Sequence, residues 1–413
     1  FTQRHAADLG LVIGAPKLVK KRTSAPRAAS PTYRWFAAVA SGVNNYVNDG
    51  RGNFSSTGAP TIFLLALDKP AGTAWTATGS EPNYYKIALP FNATTSLTNP
   101  TGVVNFQTII GPSREVTQLY AGDLHGNLWK LDFSQLGSTD WNINKLSYFK
   151  TGSGVTIAPY PMYIAKSASG VIQPITMAPA LSAAAVVSST TDIVVSFATG
   201  KFMESGDKNS TAQQSFYSIY DNNTRTADTS SPVVPPAISG RGRLVQGVID
   251  TTAGTVTVSS FKWGRPTSNT DTTTRAGYYF DFPSSGEKAV SNPKIVGNNI
   301  RFNTLIPAAP GSTGGCTAAG GSGRAYELNL DSGSGTFRTS TVGLLGETLI
   351  FPNESKTTYT KSRTTGRRTK TEYSDRVDTG SGSATKGSRI GVTTVSGRLS
   401  WRQVNNYQDL KNN

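Results

Sequence analysis

One hairpin signature recurs along the chain and limits what it can fold into. A short apolar run ends in an acid, and a glycine follows within a few residues. The runs are Ile62-Phe63-Leu64-Leu65-Ala66-Leu67-Asp68 with Gly72, Leu128-Trp129-Lys130-Leu131-Asp132 with Gly137, and Ala325-Tyr326-Glu327-Leu328-Asn329-Leu330-Asp331 with Gly333. Phe216-Tyr217-Ser218-Ile219-Tyr220-Asp221 is a looser copy. Runs of this length, rich in aromatic and branched residues and bounded by turn formers, are strands. The closing carboxylates, Asp68, Asp132, Asp221 and Asp331, are expected to accept backbone N–H bonds in the turns that follow. Their spacings of 64, 89 and 110 residues suit four-stranded units separated by long insertions. The predicted fold is all-β, a modified β-propeller with long loop insertions. A sandwich rarely repeats one hairpin this way.

The rest of the chain agrees. Leu11-Val12-Ile13, Ile193-Val194-Val195 and Gly247-Val248-Ile249 are further short apolar runs between Gly, Pro, Asn and Ser. No amphipathic helix longer than about two turns is visible, although Gln403–Lys411 could form a short one. Charged residues make up 16% of the 413, too few for a coiled coil or helical bundle. The hydrophobic share of 37% is too high for disorder. No run of 18 apolar residues exists to cross a membrane as a helix. The single Cys316 rules out an internal disulfide and a Cys-based zinc site, and His5 and His125 are the two histidines. Cys316 is expected to find a partner outside this chain.

Gly122-Asp123-Leu124-His125-Gly126-Asn127 lies between two apolar runs and predicts a tight turn. Asp123 accepts N–H bonds at its start and Gly126 takes a positive φ. Trp129 and Trp401 are expected to pack inside blades.

Forty basic residues against 25 acids leave a formal charge of +15. Two stretches hold eleven of those charges. They are 17–34, with Lys20, Lys21 and Arg22, and 355–376, with Arg363, Arg367, Arg368 and Lys370. Both are expected to be basic insertions, either exposed loops or long hairpin arms. These seven cations are the candidate contacts to an acidic surface. Base-stacking aromatics are not interleaved with them, which argues against specific nucleic-acid recognition.

Several segments resemble the PilC/PilY family of type IV pilus tip-associated adhesins. Ser41-Gly42-Val43-Asn44-Asn45 with Asn48-Asp49-Gly50 is similar to one family strand and turn. Tyr120-Ala121-Gly122-Asp123-Leu124-His125-Gly126-Asn127-Leu128-Trp129-Lys130-Leu131-Asp132 resembles its "YAGDLxGNLWKFD". Gln173-Pro174-Ile175-Thr176, Phe197-Ala198-Thr199-Gly200-Lys201-Phe202, Gln214–Asp221 and Gly397-Arg398-Leu399-Ser400-Trp401-Arg402-Gln403 match further motifs in family order. The resemblance implies that residues 1–413 are one propeller region at the C-terminal end of a larger exported protein. It implies a place at the pilus tip or outer-membrane surface, and roles in pilus assembly, surface attachment and twitching motility. The implied partners are minor pilins or other tip subunits, a host or abiotic surface such as acidic glycans, and the upstream part of the same protein. An early family segment is missing, so the ring is expected to be incomplete, or closed by residues outside this chain.

The resemblance also implies a calcium loop before Tyr120. The equivalent stretch here, 110–118, holds Arg114 and one acid, Glu115. Calcium needs several oxygen ligands, so the loop is expected to be lost and no cofactor is assigned. Asn45, Asn48, Asp49 and Asn53 are the remaining candidate cation ligands, weighed against a hydrogen-bonded turn.

The leading function is a non-enzymatic pilus-tip adhesin and biogenesis factor. One alternative is a propeller scaffold that only docks minor pilins. Another is a quinoprotein-like enzyme, which would need a regular tryptophan after each glycine. Trp75 and Trp141 stand near two such places, but no regular repeat emerges.

Overall fold

The structure, a computed structural model, describes residues 8–43, 58–79, 82–96, 99–152, 156–183, 192–221, 240–264, 270–308, 321–362, 368–380 and 384–396. The apolar runs pair into sheets because each would otherwise leave a row of backbone N–H and C=O groups unsatisfied. The two α-helices among the described residues, Ala93–Ser96 and Ile143–Leu146, are single turns.

Four sheets of four to six strands follow one another along the chain. The first is an antiparallel meander of Lys17–Arg22, Tyr33–Ala40, Thr61–Ala66 and Tyr84–Ala88. The second is built on Gly102–Ile110, Val116–Asp123 and Asn127–Asp132, with Gly42–Val43 and Tyr163–Ile164 at its edges. The third orders Ala180–Ala183, Ile193–Ala198, Ser215–Asp221, Gly277–Asp281 and Val245–Gln246, the last pair parallel. The fourth contains Asn299–Asn303, Arg324–Asn329 and Gly335–Thr339 among its six strands. Each copy of the hairpin signature falls in a different sheet, so the repeat counts the blades.

Period-two alternation glues the sheets face to face. In Tyr33–Ala40, the side chains of Phe36, Ala38 and Ala40 turn inward. Phe36 shares a core with Phe106 and Trp129 of the second sheet. In the third sheet, neighbouring residues serve opposite faces. Tyr217 meets Tyr163 of the second sheet at 5.2 Å, and Phe216 stacks on Phe302 of the fourth at 4.8 Å. Phe302 stacks in turn on Tyr326 at 4.9 Å. Every residue of Ser215–Asp221 is buried, as a strand covered on both faces must be. Each such aromatic contributes about 1.5–3 kcal/mol through area removed from water.

The last sheet along the chain is of another kind. Leu345–Lys361, Arg368–Gly380 and Ala384–Ser396 form a three-stranded antiparallel arm. Its base packs on the fourth sheet and its far half is largely exposed. Within the expected insertion 355–376, residues 355–361 and 368–376 belong to the arm's first two strands, which pair with each other.

The expected insertion over 17–34 is not an insertion. Lys17–Arg22 is a strand of the first sheet, in register with Tyr33–Ala38. Its cations point to the second sheet. Lys20 Nζ donates to the Ser113 carbonyl at 3.0 Å, Lys21 Nζ to that of Val116 at 2.6 Å, and Arg22 to that of Ser134 at 2.7 Å. Lys21 is 2% exposed and lies 3.3 Å above the Phe133 ring centre. Burial lowers its pKa well below the ordinary lysine value. It is a seam residue and cannot be a surface contact.

Candidate functional site

The motif residues converge where the second and third sheets meet. The turn after Val116–Asp123 is organised by one carboxylate. Asp123 Oδ1 accepts the backbone N–H of His125 and of Asn127, both at 2.9 Å. Its Oδ2 accepts Trp129 Nε1–H and Asn127 Nδ2–H, also at 2.9 Å. Burial pushes the Asp123 carboxyl above its ordinary pKa, while the Trp129 and Asn127 donors pull the other way. Gly126 has a φ of 77°, as the turn requires. Asp123 and Gly126 thus play the parts expected of them, and Trp129 is buried as a packing residue.

The turn is pressed against Gln173–Thr176. Ile175 N–H donates to the Asp123 carbonyl at 3.0 Å. A Cβ on Gly122 would lie 2.1 Å from Ile175 Cγ2, so no side chain fits there. Gln173 accepts the Tyr217 hydroxyl at 2.5 Å and donates to Ser215 Oγ at 2.8 Å. Thr176 donates to the Gly200 carbonyl at 2.8 Å. Arg241 closes the cluster. It donates to Tyr217 Oη at 2.8 Å and pairs with Asp281 at 2.9 Å. Burial raises the Tyr217 phenol to about 12, against the pull of Arg241. Sequence reasoning missed Arg241, because nothing in Gly240-Arg241-Gly242 marks it as the partner of a tyrosine 24 residues away.

The four expected turn acids divide. Asp132 accepts Ser134 N–H at 2.8 Å, as expected. Asp221 makes contacts across the sheets, and the residues that follow it lie outside the described ones. It is buried and takes the Lys130 ammonium at 2.6 Å and the Tyr120 hydroxyl at 2.7 Å. In the fourth sheet Asn329 accepts the turn N–H groups of Asp331 and Ser332, both at 3.0 Å, while Asp331 accepts Asn298. Asp68 forms a two-pronged ion pair with Arg34. The difference is one of surroundings: Asp221 meets a cation across the seam between two sheets, and Asp68 meets one on its own sheet.

Within the stretch 110–118, residues 111–115 form a tight turn between two paired strands. Gly111 N–H donates to the Glu115 carbonyl at 2.7 Å, and Arg114 takes a φ of 62°. Among the described residues no cluster of three or more His, Cys, Asp or Glu could hold a metal. The cation candidates Asn45, Asn48, Asp49 and Asn53 lie outside the described residues, as do Cys316, Arg363, Arg367, Trp401 and the 403–411 tail.

The arm presents the remaining basic candidates. Arg368 is exposed, and Lys370 pairs with Glu372 at 2.6 Å. Phe351 and Tyr359 are 52% and 69% exposed on the same arm. The arm is tied down by a buried polar knot. Arg376 donates to Asp378 at 3.0 Å, to the Tyr326 carbonyl at 3.0 Å and to Asn303 Oδ1 at 2.9 Å.

Antiparallel sheets stacked face to face, each bringing its aromatic faces to the next, define the class: an all-β propeller whose described sheets do not close into a ring. The comparisons agree. The model of the PilY1 beta-propeller domain matches residues 112–262. The type IV pilus biogenesis factor PilY1 homolog of Xylella fastidiosa is 29% identical over 223 residues, 53% of this chain and 13% of that protein. The type IV pilus biogenesis factor PilY1 of Pseudomonas aeruginosa is 28% identical over 206 residues, 46% of this chain and 17% of that protein. The matches thus span less than a fifth of these relatives' length. The crystal structure of the Pseudomonas aeruginosa PilY1 C-terminal domain superposes with a TM-score of 0.56 at 17% identity, over 96% of this chain and 75% of that one. Residues 112–262 thus match the PilY1 beta-propeller domain, and the chain as a whole is similar to the C-terminal region of the PilC/PilY family.

Proposed function

We propose that the chain is the propeller region of a type IV pilus biogenesis factor, non-enzymatic, exported, and acting at the pilus tip or outer-membrane surface. There it supports pilus assembly, surface attachment and twitching motility. The observation that supports this reading most directly is the PilY1 beta-propeller match over 112–262, whose motif residues form the seam between the second and third sheets.

The stacked sheets form the core and the arm is its reach. A strand of 17 residues extends about 55 Å at the usual rise per residue. The arm carries Arg368 and Lys370 outward, with Tyr359 beside them. Cations on an otherwise sparsely charged scaffold draw an acidic partner, such as a minor pilin, another tip subunit or an acidic cell surface. The non-enzymatic part of the reading rests on the Asp123 turn. Its carboxylate is occupied by N–H donors and the His125 ring meets the Asn99 carbonyl at 2.9 Å, so neither group faces a nucleophile among the described residues.

The test is Arg368→Glu with Lys370→Glu in the full-length protein in a piliated bacterium. Loss of surface attachment and twitching with normal protein level is expected. Unchanged pili, attachment and twitching would overturn the role of the arm. A scaffold that only docks minor pilins is favoured by the exposed Phe351 and Tyr359. On that reading the same variants lose pili themselves, and attachment follows.

A further inference from the structure

A cavity of about 470 Å³ opens between the first and second sheets, within the usual range of small-molecule sites. Its floor is the Asp123 turn and its walls are Phe91, which follows the strand Tyr84–Ala88, and the segment Pro159-Tyr160-Pro161. The floor is rigid. Asp123 holds both His125 and Asn127 through their backbone N–H groups, and a Cβ on Gly126 would meet the Ala165 carbonyl at 2.7 Å.

The polar groups around this cavity have capacity to spare. His125 Nε2 lies 2.9 Å from the Asn99 carbonyl, which can only accept, so Nε2 carries the proton. Its Nδ1 makes no other hydrogen bond among the described residues. Asn92 uses its Oδ1 on the N–H groups of Thr94 and Thr95, which leaves its amide donors. The Tyr160 hydroxyl and the Lys166 ammonium make no hydrogen bond to other described residues.

The Phe91 and Tyr160 rings on the walls, hydrogen-bonding groups with spare capacity and one cation suit a particular ligand chemistry. A purely apolar ligand would strand the polar groups. A phosphate group would want several cations or N–H donors where the cavity offers one ammonium. A pyranose ring lays its C–H face on an aromatic and offers hydroxyls that both donate and accept, and a carboxylate on that ring answers Lys166.

We propose that this cavity binds one carboxylate-bearing sugar unit of a surface glycan, with Phe91 and Tyr160 as platforms and Lys166 as the charge partner. The site is separate from the basic arm and does not depend on the pilus reading.

The test is calorimetric titration of the purified chain with trigalacturonate, with sialyllactose, and with maltotriose as a neutral control. At least one acidic sugar binds at millimolar concentration or tighter, and maltotriose binds at least about tenfold more weakly. Which acidic sugar wins distinguishes a uronate source from a sialic acid source. Tyr160→Ala and Lys166→Glu each weaken binding about tenfold or more, with unchanged circular dichroism, and Phe91→Ala repeats the test from the opposite wall. Arg368→Glu with Lys370→Glu leaves binding intact. The proposal is overturned if neither acidic sugar binds, if the cavity variants bind as the parent does, or if binding follows the arm charges instead.

Discussion

Lys130 of the second sheet and Asp221 of the third meet in an ion pair of 2.6 Å, and both are closed off from water. The Tyr120 hydroxyl donates to the same carboxylate, and the Lys130 ammonium lies 3.8 Å from the Tyr148 ring centre. Burial, then Asp221, raises the Tyr120 phenol well above its ordinary pKa. Removing one partner strands a buried charge. Asp221→Leu should therefore cost about 3–5 kcal/mol in urea unfolding, and adding Lys130→Met should restore most of it. A single variant within 1 kcal/mol of the parent would mean that water reaches the seam.

The arm should come loose without the propeller unfolding. Arg376 bridges Asp378, Asn303 and the Tyr326 carbonyl, and burial lowers its pKa against the attraction of Asp378. Arg376→Ala takes a donor from each of these acceptors, while Asp378 keeps Asn303 Nδ2 and the Thr348 hydroxyl, and should cost about 1–3 kcal/mol in all. Limited proteolysis should then cut within 345–396 first, while the aromatic core keeps its near-ultraviolet signal. Simultaneous loss of both would show that the arm and blades form one cooperative unit.

Asp123→Ala removes the acceptor of four donors at once. A loss of about 2–4 kcal/mol is expected, larger than for Asp132→Ala, which takes the acceptor from the Ser134 N–H. Comparison of the two unfolding midpoints in urea checks the order.

Acid should weaken the loop at 201–211. Burial pushes Asp207 up, but the N–H groups of Met203 and Glu204 and the Lys201 ammonium outweigh it and leave the carboxyl below 3.8. The folded state thus holds its proton less tightly than the unfolded chain. The stability it contributes is complete above about pH 5 and is lost as pH falls through the folded value. Asp207→Asn should flatten that part of the stability profile between pH 5 and 2. An unchanged slope would assign the acid sensitivity to other groups.

Surface charge on the arm should matter for contacts and little for folding. Arg368→Glu is expected to shift stability by less than about 0.5 kcal/mol while lowering the salt concentration needed to elute the chain from an anionic resin. An unchanged elution position would show that the net charge acts from elsewhere.

Much of the architecture was legible in the chain. The signature ending at Asp68, Asp132, Asp221 and Asp331 predicted repeated β units, and each copy lies in its own sheet. The Asp123 turn was readable because its donors, His125 and Asn127, are two and four residues away. The cation cluster at 17–34 was misread for the opposite reason. Lys20, Lys21 and Arg22 find carbonyls 93, 95 and 112 residues on, and no local pattern announces an acceptor at that distance.

The sequence by itself determined where strands and turns form, since alternation, branched side chains and Asx turns act over a few residues. Tertiary structure decided what each charge does. Lys21 and Lys370 look alike in the chain, yet one is buried beside Phe133 and the other stands on the arm. Asp132 and Asp221 close the same signature, yet one caps its turn and the other neutralises Lys130. A charge takes its role from solvent exposure and from the nearest opposite group, and both are set when sheets distant in sequence stack.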